Sequence, residues 1–302
     1  MIHPQNERIF QGIWPALFTP TRPDGQVQPQ ELEKLINLCI TQQLDGLYLL
    51  GSTGQGFLFD EKQRMAITEA TLEIADKRLP VMVQVGALNT EESVRLAKHA
   101  VRLGAAGISA VGPMYYGASV EMAFQHYRRI AQATDAPFFP YQIGTAADAE
   151  LIQRLQTVEQ IQGMKLTTTK LLEISSIYNT TRPDWQLFSG ADELMCHAAL
   201  CGTVGAIGTT YNLLGSTCQY IRASFLAGEV EQARAFMLHF QAFIEKILPY
   251  VWAFFRRAMQ LRHNIDIGQP KPPLLAPALP WTDAEMLNMV EELERFNPQP
   301  VS

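Results

Sequence analysis

The sequence predicts an α/β protein, a (β/α)8 TIM barrel over residues 1–212 with a C-terminal helical region over residues 213–302. Three observations carry this prediction. Short apolar runs, β-branched or bounded by Gly and Pro, recur eight times along the chain. Patterns of helical period separate them at intervals of roughly 20–35 residues, which suits eight βα units better than an open sheet. After about Leu213 the strand-like runs stop and only helical patterns follow.

In chain order the strands are expected at 12–19, 46–50, 81–85, 107–111, 138–141, 162–166, 186–188 and 205–208. Between the first two, Leu32, Leu35, Ile36, Cys39 and Ile40 fall on one helical face. Asp60 with Gln63 and Asn89 with Glu92 stand at N-cap and N3 spacing, so each opens a helix. Asp45-Gly46, Gly104-Ala105 and Ala106-Gly107 mark returns from helix to strand. Later helices are expected at 213–227, 229–247 and 250–263, broken by Gly228 and Pro249. Gly268-Gln269-Pro270-Lys271-Pro272-Pro273 reads as an extended linker, and Thr282 with Glu285 caps a last helix ending near Phe296.

Composition narrows the classes of function. The chain of 302 residues is 47% hydrophobic and 18% charged, which suits a protein with a sizeable core. A net charge of −6 and no basic cluster beyond Arg128-Arg129 or Arg256-Arg257 argue against nucleic-acid or anionic-membrane partners. Cys39, Cys196, Cys201 and Cys218 form no CxxC and read as small core residues in a reducing compartment. The six histidines show no metal-ligand spacing. Met1–Glu7 has neither a basic start nor an apolar run, and 235–255 is interrupted by His239, Glu245, Lys246 and Pro249. The expected address is cytoplasmic.

Lys165 closes the apolar run Ile161-Gln162-Gly163-Met164 and has no carboxylate close in sequence. An amine in such a setting loses hydration of its charged form, so its pKa falls and it becomes nucleophilic near neutral pH. The competing reading is a strand-end lysine reaching back to solvent. In a barrel, reactive groups sit at the C-terminal ends of strands. There the sequence places Gly51-Ser52-Thr53-Gly54, whose N–H groups and hydroxyls suit a carboxylate. Tyr141 follows at the fifth strand end, Lys165 at the sixth, Gly190-Ala191-Asp192-Glu193 at the seventh and Thr209-Thr210-Tyr211-Asn212 at the eighth. Taken singly, Tyr141 also reads as a core-edge tyrosine, and Asp192-Glu193 as a helix cap with a first-turn acid. Five strand ends converging on one mouth favour a site.

The chain resembles the dihydrodipicolinate synthase/N-acetylneuraminate lyase family of class I aldolases over most of its length. Gly51-Ser52-Thr53-Gly54, Gly163-Met164-Lys165-Leu166-Thr167, the segment 202–212 and Pro270-Lys271-Pro272-Pro273-Leu274 carry the resemblance. It looks closer to the sialic acid lyase branch, through Pro113-Met114-Tyr115-Tyr116, His126-Tyr127-Arg128 and Gly190-Ala191-Asp192-Glu193; the arginine expected of synthases after Tyr141 is replaced by Gly144-Thr145-Ala146-Ala147. The resemblance implies that Lys165 and Tyr141 are catalytic, Lys165 as the imine-forming amine and Tyr141 as a proton relay hydrogen-bonded toward the Gly-Ser turn. It implies that Ser52 and Thr53 hold the keto-acid carboxylate, and that Thr167, Gly190, Asp192, Glu193 and Thr209 bind the sugar chain. It implies no metal or organic cofactor, a small-molecule 2-keto sugar acid as ligand, and a homotetramer in which Tyr115 reaches a neighbouring site. Three departures stand out: Gln55 where the family has Glu, a trimmed loop between Tyr141 and Lys165, and Ala191 with Thr209 at the sugar end. They leave open another 2-keto-3-deoxy sugar acid as substrate, or a barrel that only binds a keto acid.

Overall fold

The structure, a computed structural model, describes residues 9–144 and 147–298. Met1–Glu7, and Thr145 and Ala146 of the trimmed loop, lie outside the described residues. Eight parallel strands form the barrel: β1 Gly12–Pro15, β2 Leu47–Leu49, β3 Val81–Gln84, β4 Gly107–Val111, β5 Phe138–Ile143, β6 Gly163–Thr167, β7 Gln186–Ser189 and β8 Gly205–Gly208. Each pairs with the next from β2 to β8, and β8 pairs with β1. The seam between β1 and β2 is narrower, one bridge between Ala16 and Tyr48 with Leu17 N–H donating to the Tyr48 carbonyl at 2.9 Å. The strands are buried on both faces, which is why they read as continuous apolar runs.

The period of two along each strand sorts side chains between two cores. Ile13, Leu47, Val83, Met164, Leu166 and Leu187 face the helices. Phe10, Trp14, Tyr48, Met82, Phe139 and Phe188 fill the barrel interior. Lys165 stands between Met164 and Leu166 and Tyr141 two residues beyond Phe139, so both take the inward register.

The helices between strands are α1 Pro29–Thr41, α2 Glu61–Ala75, α3 Thr90–Arg102, α4 Val120–Ala131, α5 Ala149–Leu155, α6 Leu171–Thr180 and α7 Met195–Leu200. The expected caps form: Asp60 and Gln63 make a reciprocal capping box, and Asn89 accepts from Glu92 N–H at 2.8 Å. The first strand is shorter than 12–19 because side chains replace its ladder. Asn212 donates to the Ala16 carbonyl at 2.8 Å, and Thr19 donates to the Gly54 carbonyl at 2.8 Å. The fifth strand is longer than 138–141, since Gln142 and Ile143 pair with Leu166 and Thr167.

After β8 come α8 Tyr211–Leu226, α9 Val230–Ile247, α10 Val251–His263 and α11 Asp283–Glu294. The point between residues 212 and 213 falls inside α8. Thr282 and Glu285 box the start of α11, as their spacing predicts. No helix among the described residues is long and apolar enough to cross a membrane. All four cysteines are free.

Candidate active site

Parallel register sets Tyr141 of β5 beside Lys165 of β6, and Lys165 beside Phe188 of β7. Lys165 is only 5% exposed, so it does not reach back to solvent. Its Nζ lies 4.3 Å from the centre of the Tyr48 ring and 4.2 Å from that of Tyr141. Burial pushes its pKa down, while the nearby Tyr141 and Asp192 pull it partly back. Room for the lysine depends on Gly190. A Cβ there would stand 2.0 Å from Thr167 Oγ1 and 3.0 Å from Lys165 Cε.

Tyr141 is buried, and its hydroxyl lies 3.1 Å from Thr167 Oγ1. The resemblance implied a hydrogen bond from that hydroxyl toward the Gly-Ser turn, and the structure gives it Thr167. The reason is register: Thr167 ends the strand that neighbours β5, whereas the turn is engaged elsewhere. Thr53 Oγ1 meets Thr209 Oγ1 at 2.7 Å, joining the second strand end to the eighth. Ser52 is exposed at the tip of the turn. Leu50 and Gln55 bracket this turn with φ of 59° and 55°, left-handed backbone that non-glycine residues adopt at a cost.

Asp192 lies in the short turn of helix after β7 and is 8% exposed. It caps no helix. Its Oδ2 accepts from Thr210 N–H at 2.8 Å and from Thr210 Oγ1 at 2.6 Å. Burial nevertheless raises its pKa to about 6, and Glu193 adds to the rise. Gly208 makes the fit possible, since a Cβ there would stand 1.8 Å from Asp192 Oδ1. Two cavities open on this side. One of about 290 Å³ is lined by Gly144, Thr167, Lys170, Glu173, Ala191 and Glu193. The other, about 180 Å³, lies between Thr167, Asp192 and Thr209 on one wall and Ile247, Val251 and Phe255 on the other.

The structure therefore gathers Lys165, Tyr141, Thr167, Gly190, Asp192, Glu193 and Thr209 at one mouth, with Thr53 linked through Thr209. Tyr115 stands apart, 89% exposed on the loop after β4. Sequence reasoning missed several parts. Tyr48 looked like one more apolar strand residue in Leu47-Tyr48-Leu49. Thr210 and Gly208 matter only because the chain brings them against Asp192. The apolar wall comes from α9 and α10, far along the sequence. Gln55 was read by its missing charge, yet its Oε1 accepts from Lys271 N–H at 2.7 Å and pins the extended linker to the turn. Among the described residues no group of three or more His, Cys, Asp or Glu is placed to hold a metal ion.

Comparison with known proteins decides the family. The profile of the Dihydrodipicolinate synthetase family matches residues 9–294. The chain belongs to that family. The N-acetylneuraminate lyase of Salmonella agona is 30% identical over 296 residues, covering 94% of this chain and 99% of the relative. The wild-type sialic acid aldolase of Ruminococcus gnavus superposes with a TM-score of 0.87 at 22% identity, covering 96% of this chain and 97% of that one. A putative dihydrodipicolinate synthetase from Pseudomonas aeruginosa superposes with a TM-score of 0.87 at 24% identity, over 94% and 99%. The two superpositions speak for the barrel alone. Membership makes the protein an enzyme of a lyase family, of the aldolase type.

Proposed function

We propose that this protein is an imine-forming aldolase that cleaves N-acetylneuraminate to pyruvate and N-acetylmannosamine. One observation carries the reading most: an inward strand amine, with burial lowering its pKa and Tyr141 beside it. The neutral Nζ adds its lone pair to C2 of the open-chain keto acid, and the carbonyl oxygen leaves as water, giving a protonated imine. The C3–C4 bonding pair then becomes the C2=C3 double bond as the C=N π pair moves onto nitrogen, leaving an enamine and an aldehyde. Tyr141 accepts the C4 hydroxyl proton while passing its own toward the substrate carboxylate. Protonation at C3 and hydrolysis release pyruvate and the free lysine. No metal or organic cofactor is needed, because the iminium withdraws the electrons.

In this reading Ser52, Thr53 and the N–H groups of their turn hold the carboxylate. Asp192, Glu193, Gly190, Thr167 and Thr209 receive the polyol. The naming of the Salmonella relative supports the sugar assignment. The proposal includes a cytoplasmic homotetramer with no nucleic-acid or membrane partner, the exposed Tyr115 contacting a neighbouring subunit. A second reading keeps the imine and changes the sugar acid. Small Ala191 on the wall of the larger cavity favours it.

Pyruvate with borohydride tests the chemistry. Wild-type protein is expected to gain one reduced pyruvyl adduct at Lys165, and Lys165→Ala none; an unmodified wild type would end the aldolase reading. Pyruvate release from a panel of 2-keto-3-deoxy sugar acids then separates the two substrates.

A further inference from the structure

We propose that Tyr48 is a catalytic residue whose ring face, set at right angles to that of Tyr141, holds the cationic nitrogen of the Lys165 adduct. This rests on the reading of Lys165 as the imine-forming amine, and three facts of the structure carry it further. Lys165 Nζ sits 4.3 Å from the Tyr48 ring centre and 4.2 Å from that of Tyr141, inside the range where a cation is attracted to an aromatic face. The two rings stand edge to face at 87°, their centres 6.4 Å apart, as their quadrupoles prefer. Tyr48 itself is wholly buried and cannot swing away.

Its neighbours fix it from three sides. The hydroxyl donates to Ser109 Oγ at 3.1 Å across the barrel. The backbone carries the single bridge that closes the seam with β1. Gly51 of the carboxylate turn lies against the ring edge, where a Cβ would stand 2.6 Å from Tyr48 Cε1. Tyr48 thus touches both the reacting nitrogen and the turn proposed to take the substrate carboxylate. Burial holds the phenol pKa well above its ordinary value, so the hydroxyl stays protonated. The residue acts through its face.

The chemistry explains why a ring serves here. An iminium is a cation in a dry interior, which burial penalises. A carboxylate against Nζ would offset that cost but would also keep the free amine protonated and unreactive. An aromatic face attracts the cation weakly enough to leave the neutral lone pair free.

The test titrates the full-length protein with pyruvate and reads the fraction of borohydride-trapped adduct by intact mass. Tyr48→Leu is expected to raise the apparent pyruvate constant by about 10- to 30-fold, the effect of losing one desolvated cation–π contact. Tyr48→Phe keeps the ring and loses only the Ser109 tether, so its rise should stay within about threefold. If Tyr48→Leu does not fold, fluorinated phenylalanines at position 48 decide. They preserve shape while draining the ring face, and adduct should fall stepwise with each added fluorine. Trapping by Tyr48→Leu equal to wild type, or a flat fluorination series, overturns the proposal while leaving the Lys165 chemistry intact. A wild type that traps nothing removes both.

Discussion

Lys165 and Asp192 are both buried at one mouth, where burial pushes each toward its neutral form, and they differ in the neighbours that answer it. Burial lowers the pKa of Lys165, whose Nζ lies over two aromatic rings, so the interior favours its neutral form. Asp192 is fed two hydrogen bonds by Thr210, which favour its charge, yet its pKa still rises to about 6. In the proposed mechanism the first group makes a bond and the second accepts hydrogen bonds at neutral pH. Position on the barrel is common to both; the difference lies in what the neighbouring side chains offer. Removal of solvent alone does not define a functional group.

Four experiments would break or sharpen this contrast. The largest effect is expected from Tyr141→Phe, which keeps a ring beside Lys165 but removes the relay. Turnover of N-acetylneuraminate should fall by about 10²- to 10⁴-fold while pyruvate trapping at Lys165 survives. Equal loss of both would mean that the phenol prepares the amine and carries no proton.

Gly208→Ala strikes the acid side. The new methyl meets Asp192 Oδ1, so the carboxylate must leave Thr210. An overpacked site of this kind costs about 1–3 kcal/mol, and kcat/KM for the sugar acid should drop about 10- to 100-fold with adduct formation kept. Unchanged sugar kinetics would remove Asp192 from the polyol site.

Asp192→Asn separates charge from shape. Its raised pKa means the folded protein binds the proton more readily than the unfolded chain, so this group lowers stability as pH rises from about 4 to about 6. Above that range the cost is fully present. The Asn variant should therefore melt higher than wild type at pH 8 and about equally at pH 4. A difference independent of pH would show that Asp192 is not titrating there.

Gln55→Ala should have the smallest effect. Losing the hydrogen bond from Lys271 N–H frees the linker from the turn and should cost about 1 kcal/mol, seen as roughly a fivefold rise in pyruvate KM at constant kcat. A fall in kcat instead would place Gln55 nearer the chemistry than the linker.

Much of this was legible before folding. Continuous apolar strands and the Asp60-Gln63 and Thr282-Glu285 caps are local signals with a fixed period, and each appears where expected. Lys165 lies in the sixth strand as expected, but two residues short of its end at Thr167. Strand lengths were less legible, because the partners that end β1, Asn212 for the Ala16 carbonyl and Gly54 for Thr19, lie far along the chain. Thr167 as partner of Tyr141, and the wall given by Val251 and Phe255, follow from register and helix packing that no local pattern encodes.

By itself the sequence determined the barrel and the residue types near five strand ends, because hydrophobic period and turn chemistry act over a few neighbours. Only the tertiary structure decided which ring lies on Lys165, which hydroxyl meets Tyr141 and which amide holds Asp192. Those choices depend on side chains tens to hundreds of residues apart sharing a few ångströms of dry space, where dispersion, hydrogen bonding and desolvation act without regard to chain order.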